Sequence, residues 1–343
     1  MTMSSSQSES RKKAIEALRQ HQHQWTAEQL AQRVLDGDRD ALSTAITWCE
    51  STLKEHRQKA QAVLDIITPH SGNSFRLGIT GVPGVGKSTL IEALGLIWIA
   101  EGHKVAVLAI DPTSPITQGS ILGDKTRMEH LSVHPDAYVR PSATANELGG
   151  VAARTHEAIL LCEAAGYNRI IIETVGVGQS ETAVSHMTDC FLLLMLAGAG
   201  DQLQGIKRGI MEMCDIMAIT KAEGENAAAA NRAKAEYQNA LHLFPEREDK
   251  WFPPVVTLSA IEQLGLDELN QQLAFFETWS KSRLWEEKRK KQLLYQMEQE
   301  WIRQWKQQKM DNPEFQKLFQ QLQQSVSNQE ISLASAVARL VRD

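Results

Sequence analysis

The chain has 343 residues, 42% of them hydrophobic and 23% charged, with a net charge of −6. That length suits two domains or one large domain with additions. The acidic balance argues against a nucleic-acid partner, which would meet a basic face. No apolar run approaches the roughly 18 residues of a membrane span, and the four cysteines (Cys49, Cys162, Cys190 and Cys214) form no CxxC pair and read as buried free thiols in a reducing compartment.

Residues 1–24 are rich in Ser, Gln and charge and lack an apolar h-region, so they read as a flexible tail rather than a secretory signal, with the cytoplasm as default location. Residues 25–70 read as an N-terminal helical extension with a packing role. Leu30, Val34 and Leu35 keep a helical spacing, Gly37-Asp38 breaks it, and a second helix runs through Leu42, Ile46, Leu53 and Val63 to end near Pro69.

From residue 71 to 276 short apolar strands alternate with helices. The expected strands are Phe75–Thr80, Lys104–Ile110, Arg169–Ile172, Cys190–Leu196, Ile216–Thr220 and Val255–Leu258. The alternation implies an α/β fold with a mainly parallel sheet, whose ligands bind beyond the carboxyl ends of the strands.

Between the first strand and a helical run from Thr89 to Trp98 lies Gly81-Val82-Pro83-Gly84-Val85-Gly86-Lys87-Ser88-Thr89, a full match to GxxxxGK[ST]. Glycine is about 7% of residues, so chance produces the pattern in a chain this long roughly once in a hundred. The glycines let backbone N–H groups curl around an anion. Lys87 can reach the β- and γ-phosphates of a nucleotide, and the Ser88 hydroxyl can sit on Mg²⁺. The following helix aims its N-terminus at the same phosphates.

Asp111, after the second strand, would face the phosphates. Asp124 lies in the loop Gly119–Arg127. Each is a candidate for completing the Mg²⁺ shell or positioning water, and each could equally be a turn residue. Ile171-Ile172-Glu173-Thr174-Val175-Gly176 has the Walker B arrangement, an apolar strand ending in an acid that holds Mg²⁺, with Gly176 free to approach the γ-phosphate. Gln179 in the next loop could orient water or simply face solvent. Thr220-Lys221-Ala222-Glu223 sits where a GTPase carries NKxD, the guanine reader, and Ser259-Ala260 fits the further base-contacting element. Thr220 and Glu223 depart from NKxD at two positions: a hydroxyl stands for an amide, and the carboxylate is one methylene longer.

In residues 277–343 the chain turns helical and polar. Lys281–Lys309 carries nine basic and four acidic residues, and Leu294, Met297, Trp301 and Trp305 share one helical face. That narrow stripe suits a dimer-forming arm; a helix packed within the same chain is the alternative. Asn312-Pro313 ends it, and one or two shorter helices follow.

Taken together these segments resemble the MeaB/ArgK family, the standalone GTPases that accompany cobalamin-dependent acyl-CoA mutases. The resemblance runs from about residue 28 to 270 and is carried by Gly37-Asp38-Arg39, Gly81–Thr89, Asp111–Pro115, Gly119–Met128, Leu148-Gly149-Gly150, Glu173–Glu181, and Gly200-Asp201 with Gln204 and Lys207. It implies a P-loop GTPase that binds GTP, GDP and Mg²⁺ and couples hydrolysis to loading adenosylcobalamin into a methylmalonyl-CoA mutase-type partner and ejecting inactivated cofactor. It places Lys87, Ser88, Asp111, Asp124 and Glu173 around phosphate and Mg²⁺, makes Asp201 and Lys207 part of a third switch loop that answers the mutase, and implies a homodimer joined by C-terminal helices. A nickel-inserting metallochaperone GTPase and a kinase or transport-associated ATPase are the competing readings. The first would need a His/Cys ligand set and the second an acceptor site with a catalytic base, and neither is evident in the sequence.

Overall fold

The computed structural model describes residues 25–110, 128–141, 148–174, 180–198 and 208–342. The chain divides into two compact units, Met1–Gln292 and Leu293–Asp343.

The described strands of the first unit are β1 (Phe75–Gly81), β2 (Val105–Ile110), β3 (Ala137–Pro141), β4 (Arg169–Thr174), β5 (Cys190–Leu196), β6 (Ile216–Thr220) and β7 (Val255–Thr257). They form one seven-stranded sheet, all parallel, in the order β3-β2-β4-β1-β5-β6-β7. β1 lies between β4 and β5, so the chain winds to one side of β1 and then to the other. The carboxyl end of β1 is thus at the crevice where such sheets bind ligands.

Both faces are covered, which explains the unbroken apolar strands. Successive residues enter opposite cores. Ile170 and Ile172 of β4, and Phe191, Leu193 and Met195 of β5, belong to one core; Ile171, Leu192 and Leu194 belong to the other. The first core takes residues from helices α1 (Ala27–Leu35), α2 (Arg39–Glu50), α3 (Lys54–Ile67), α5 (Leu148–Ala164), α6 (Ser180–Ser185), α7 (Arg208–Met213) and α8 (Ala227–Leu241). The second is closed by α4 (Lys87–Ala100) and α9 (Leu266–Lys281), which Trp98 Nε1 joins by donating to Asn270 Oδ1 at 2.9 Å. All four cysteines are free and buried. Burial, reinforced by Asp215, pushes the Cys214 thiol up to about 12.

The structure departs from the sequence reading in three places. The second N-terminal helix is two helices, α2 and α3. Ser51 is extended, and its hydroxyl accepts from the Leu53 N–H at 3.2 Å, a local turn with no glycine or proline to announce it. The edge strand β3 was not expected. It is five residues long and ends in proline, which cannot donate to a ladder and is tolerated at an edge. Four of the expected strands shift an end by one or two residues: β1 gains Gly81, β2 starts at Val105, β4 continues through Glu173 to Thr174, and β7 stops at Thr257.

Gly265, which opens α9, has φ +70°, and a Cβ there would lie 2.2 Å from the Thr257 carbonyl oxygen. Gly265→Ala is therefore expected to cost about 2 kcal/mol or more, read as a lower midpoint in thermal unfolding. An unchanged midpoint would contradict this.

In the second unit, α10 (Trp285–Met310), which begins in the first, continues to Met310. α11 (Pro313–Ser327) starts on Asn312, whose side chain accepts from the Glu314 N–H at 2.9 Å, with proline in the first helical position. α12 (Leu333–Arg342) packs on α11, burying Leu322 and Ala336. The stripe anticipated on α10 is exposed, Met297 at 64% and Trp301 at 66%. No helix among the described residues is long and apolar enough to cross a membrane.

Candidate functional site

The site is built where β1, β4, β6 and β7 end. β1 closes on Gly81, and the loop turns into α4 through Gly86, at φ +101°, a conformation that favours glycine. The Leu90 N–H bonds Gly86 O at 3.0 Å and the Val85 N–H bonds Val82 O at 3.2 Å, so the loop is fixed at both ends. Val85 fills the space beneath it with a fully buried side chain.

Lys87 and Ser88 open α4 and are both buried. The Lys87 ammonium curls back to donate to Gly81 O at 2.8 Å and to Val82 O at 3.3 Å. The Ser88 hydroxyl lies 3.4 Å from Glu173 Oε1 at the tip of β4. Registry makes that meeting possible, because Ile79 of β1 pairs with Glu173 and the neighbouring Thr80 and Thr174 hydroxyls bond at 2.8 Å. The structure thus brings Lys87, Ser88 and Glu173 together although 85 positions separate Ser88 from Glu173.

At the far side, Thr220 ends β6. Its buried hydroxyl donates to Val85 O at 2.6 Å and lies 3.2 Å from Met195 O. Thr220, one of the two residues that depart from the NKxD pattern, is therefore a strut between the end of β6 and the phosphate loop. Lys221 has φ +56°. The Ala222 N–H bonds Leu258 O at 3.0 Å, tying this loop to the end of β7. Oε2 of Glu223 is buried and has no hydrogen-bond partner among the described residues. Ser259 is fully buried, and its hydroxyl accepts from the Glu262 N–H at 3.1 Å while its backbone pairs with Leu264. Its side chain serves the turn that Ala260 continues.

Asp111, Asp124, Gly176, Gln179, Asp201 and Lys207 lie outside the described residues. Sequence reading missed Asn226, whose side-chain amide donates to Lys221 O at 2.6 Å. An asparagine just before a helix reads as an N-cap, which hides the contact.

The donor set at the strand tips suits a small hard cation. The Ser88 hydroxyl and the Glu173 carboxylate are both oxygen ligands, buried and close enough to share one ion. A phosphate loop, an acidic strand tip and a separate loop at the base position define a P-loop nucleotide hydrolase.

Comparison with known proteins narrows that class. The chain belongs to the methylmalonyl Co-A mutase-associated GTPase MeaB family, which matches residues 42–314. It is 57% identical over 244 residues to a probable GTPase of Mycobacterium tuberculosis, covering 71% of this chain and 73% of that protein. It is 43% identical over 313 residues to the GTPase ArgK of Escherichia coli, covering 90% and 93%. A mouse mitochondrial methylmalonic aciduria type A homolog is 47% identical over 246 residues, 69% of this chain and 59% of the mouse protein. Among solved structures, one described as a LAO/AO transport system kinase superposes with a TM-score of 0.73 at 35% identity, covering 92% of this chain and 96% of that one. The protein is thus a GTPase of the family that the sequence resembles.

Proposed function

We propose that this GTPase serves a cobalamin-dependent acyl-CoA mutase of the methylmalonyl-CoA type, coupling GTP binding and hydrolysis to the loading and protection of adenosylcobalamin. The observation that carries the reading is that the segment matched to the mutase-associated family, residues 42–314, contains the assembled phosphate site.

In this reading Gly81–Thr89 cradles the phosphates and Lys87 neutralises them. Ser88 and Glu173 hold Mg²⁺, with Asp111 and Asp124 completing its surroundings. When bound, the ion would neutralise charge on the β- and γ-phosphate oxygens. Thr220–Glu223 and the loop at Ser259-Ala260 take the guanine. The Glu223 carboxylate accepts from N1–H and the 2-amine, which would satisfy its buried oxygen. Gly176 and Gln179 follow the γ-phosphate, and Asp201 and Lys207 belong to the loop that answers the mutase. Residues 71–276 form the nucleotide-binding part and residues 277–343 the arm.

The exposed apolar stripe on α10 supports a homodimer. Sedimentation of the wild-type chain is expected to give twice the monomer mass, and of a Met297→Glu/Trp301→Glu variant the monomer mass. A wild-type monomer at micromolar concentration would show that the stripe does not join two copies. The function itself is tested by pulling partners from the native cell extract with the chain held in a non-hydrolysable GTP analogue. A cobalamin mutase among the captured proteins is the expected result, and its absence there counts against the reading.

A further inference from the structure

We propose that Asn226 is a positioning residue for base recognition, holding the loop Lys221–Glu223 in the shape that presents the Glu223 carboxylate. The proposal rests on the reading that this loop takes guanine. Lys221 has a left-handed backbone, unfavourable for any residue with a Cβ, so something must hold it there. The Asn226 side-chain amide donates to Lys221 O at 2.6 Å, and the Asn226 backbone N–H donates to Glu223 O at 3.0 Å. One residue therefore grips both ends of the segment, while the Ala222 N–H pins its middle to Leu258 O. The buried Oε2 of Glu223, without a hydrogen-bond partner among the described residues, sits at the end of what is gripped. Left unpaired such an oxygen is costly; paired by a nucleobase donor it becomes a specificity contact.

The helix does not explain this asparagine. Asn226 occupies the N-cap of α8, where its side-chain oxygen would ordinarily accept from the next turn. Instead it makes no capping bond, and its own backbone is helical, at φ −79° and ψ −13°. The amide reaches back across the 3-10 turn Gly224–Asn226 to Lys221. Replacing it takes a hold from the loop and no cap from the helix.

The test compares GTP, ITP and ATP affinities of the full chain for wild type, Asn226→Ala, Asn226→Asp and Glu223→Ala, with thermal midpoints alongside. ITP lacks the 2-amine, so it keeps one of the two donors that a correctly placed Glu223 carboxylate would accept from. Asn226→Ala and Asn226→Asp, the second keeping shape but replacing the donor by an acceptor, are each expected to weaken GTP binding about three- to tenfold. ITP is expected to lose less and ATP least, with the thermal midpoint unchanged. An unchanged GTP-to-ITP ratio in both variants overturns the proposal, and if Glu223→Ala loses that ratio the base-reading assignment stands without it. Loss of all three nucleotides in proportion, or a lowered midpoint, also overturns it, since that is a merely structural role. A wild type that binds ATP as well as GTP removes the base-reading assignment and the proposal together.

Discussion

Lys87→Ala is expected to lower the rate of GTP hydrolysis by at least about a hundredfold, with weaker nucleotide binding and a retained fold. Lys87 is the first residue of α4, and its buried ammonium lies on the loop's own carbonyls, Gly81 O at 2.8 Å and Val82 O at 3.3 Å. It is thus a cation already withdrawn from bulk water and placed at the mouth of a helix N-terminus, where charge counts for more than it would at the surface. Phosphoryl transfer leaves little covalent chemistry to the protein, so catalysis rests on positioning and charge. Alanine removes the charge while leaving a helix former at a helical position. Lys87→Arg should not rescue, because a planar fork does not reproduce a compact ammonium that donates to both Gly81 O and Val82 O. Steady-state phosphate release checks this, with circular dichroism confirming the fold. Activity above a tenth of wild type would contradict it.

Arg76→Ala is expected to destabilise the first unit by about 3–5 kcal/mol, the cost of leaving a buried charge without its partner. Side-chain exposure is 7% for Arg76 and 1% for Glu163. The guanidinium donates to Glu163 through Nε at 2.8 Å and Nη2 at 2.9 Å, a bidentate pair. The Ser74 hydroxyl at 2.6 Å and the Gly72 N–H at 2.7 Å complete the carboxylate. Burial pushes the Glu163 carboxyl up, but the Arg76 charge and these hydrogen bonds together outweigh it and hold the group below its ordinary 4.5. The sign follows directly: a depressed carboxylate contributes stability that is present above 4.5 and is lost as pH falls below it. Glu163→Gln should flatten that acid limb of the stability profile. The double variant Arg76→Met/Glu163→Leu should recover much of the loss, because apolar replacements remove both charges together. Thermal and urea unfolding across acid pH measure all of these. An Arg76→Ala midpoint within a degree or two of wild type would show that the pair is not holding β1 to α5.

Six of the seven described strands and the phosphate loop were legible in the sequence because their signals are local. Apolar runs bounded by turn residues announce strands, and the loop's glycines, lysine and serine are contiguous. The place of Glu173 at a strand tip was legible for the same reason, as a carboxylate at the end of an apolar run. What escaped depends on distance or on competing signals. The Arg76–Glu163 pair joins residues 87 positions apart, a separation that periodicity does not read. Strand β3 is short and polar-flanked, and its pairing with β2 is a property of the sheet, not of its own residues. Thr220 looked like a lost amide, yet folding carries Val85 O to within 2.6 Å of its hydroxyl and gives that hydroxyl a different task. Asn226 carried an N-cap signal, and the fold uses its amide elsewhere.

Coupling to a mutase is measured by GTP hydrolysis by the purified chain with and without the purified cobalamin-dependent acyl-CoA mutase of the same cell, with ATP as the parallel substrate. Slow hydrolysis of GTP alone is expected, with a clear increase when the mutase is added and no comparable turnover of ATP. GTP hydrolysis indifferent to the mutase, with no complex between the two proteins, would contradict it.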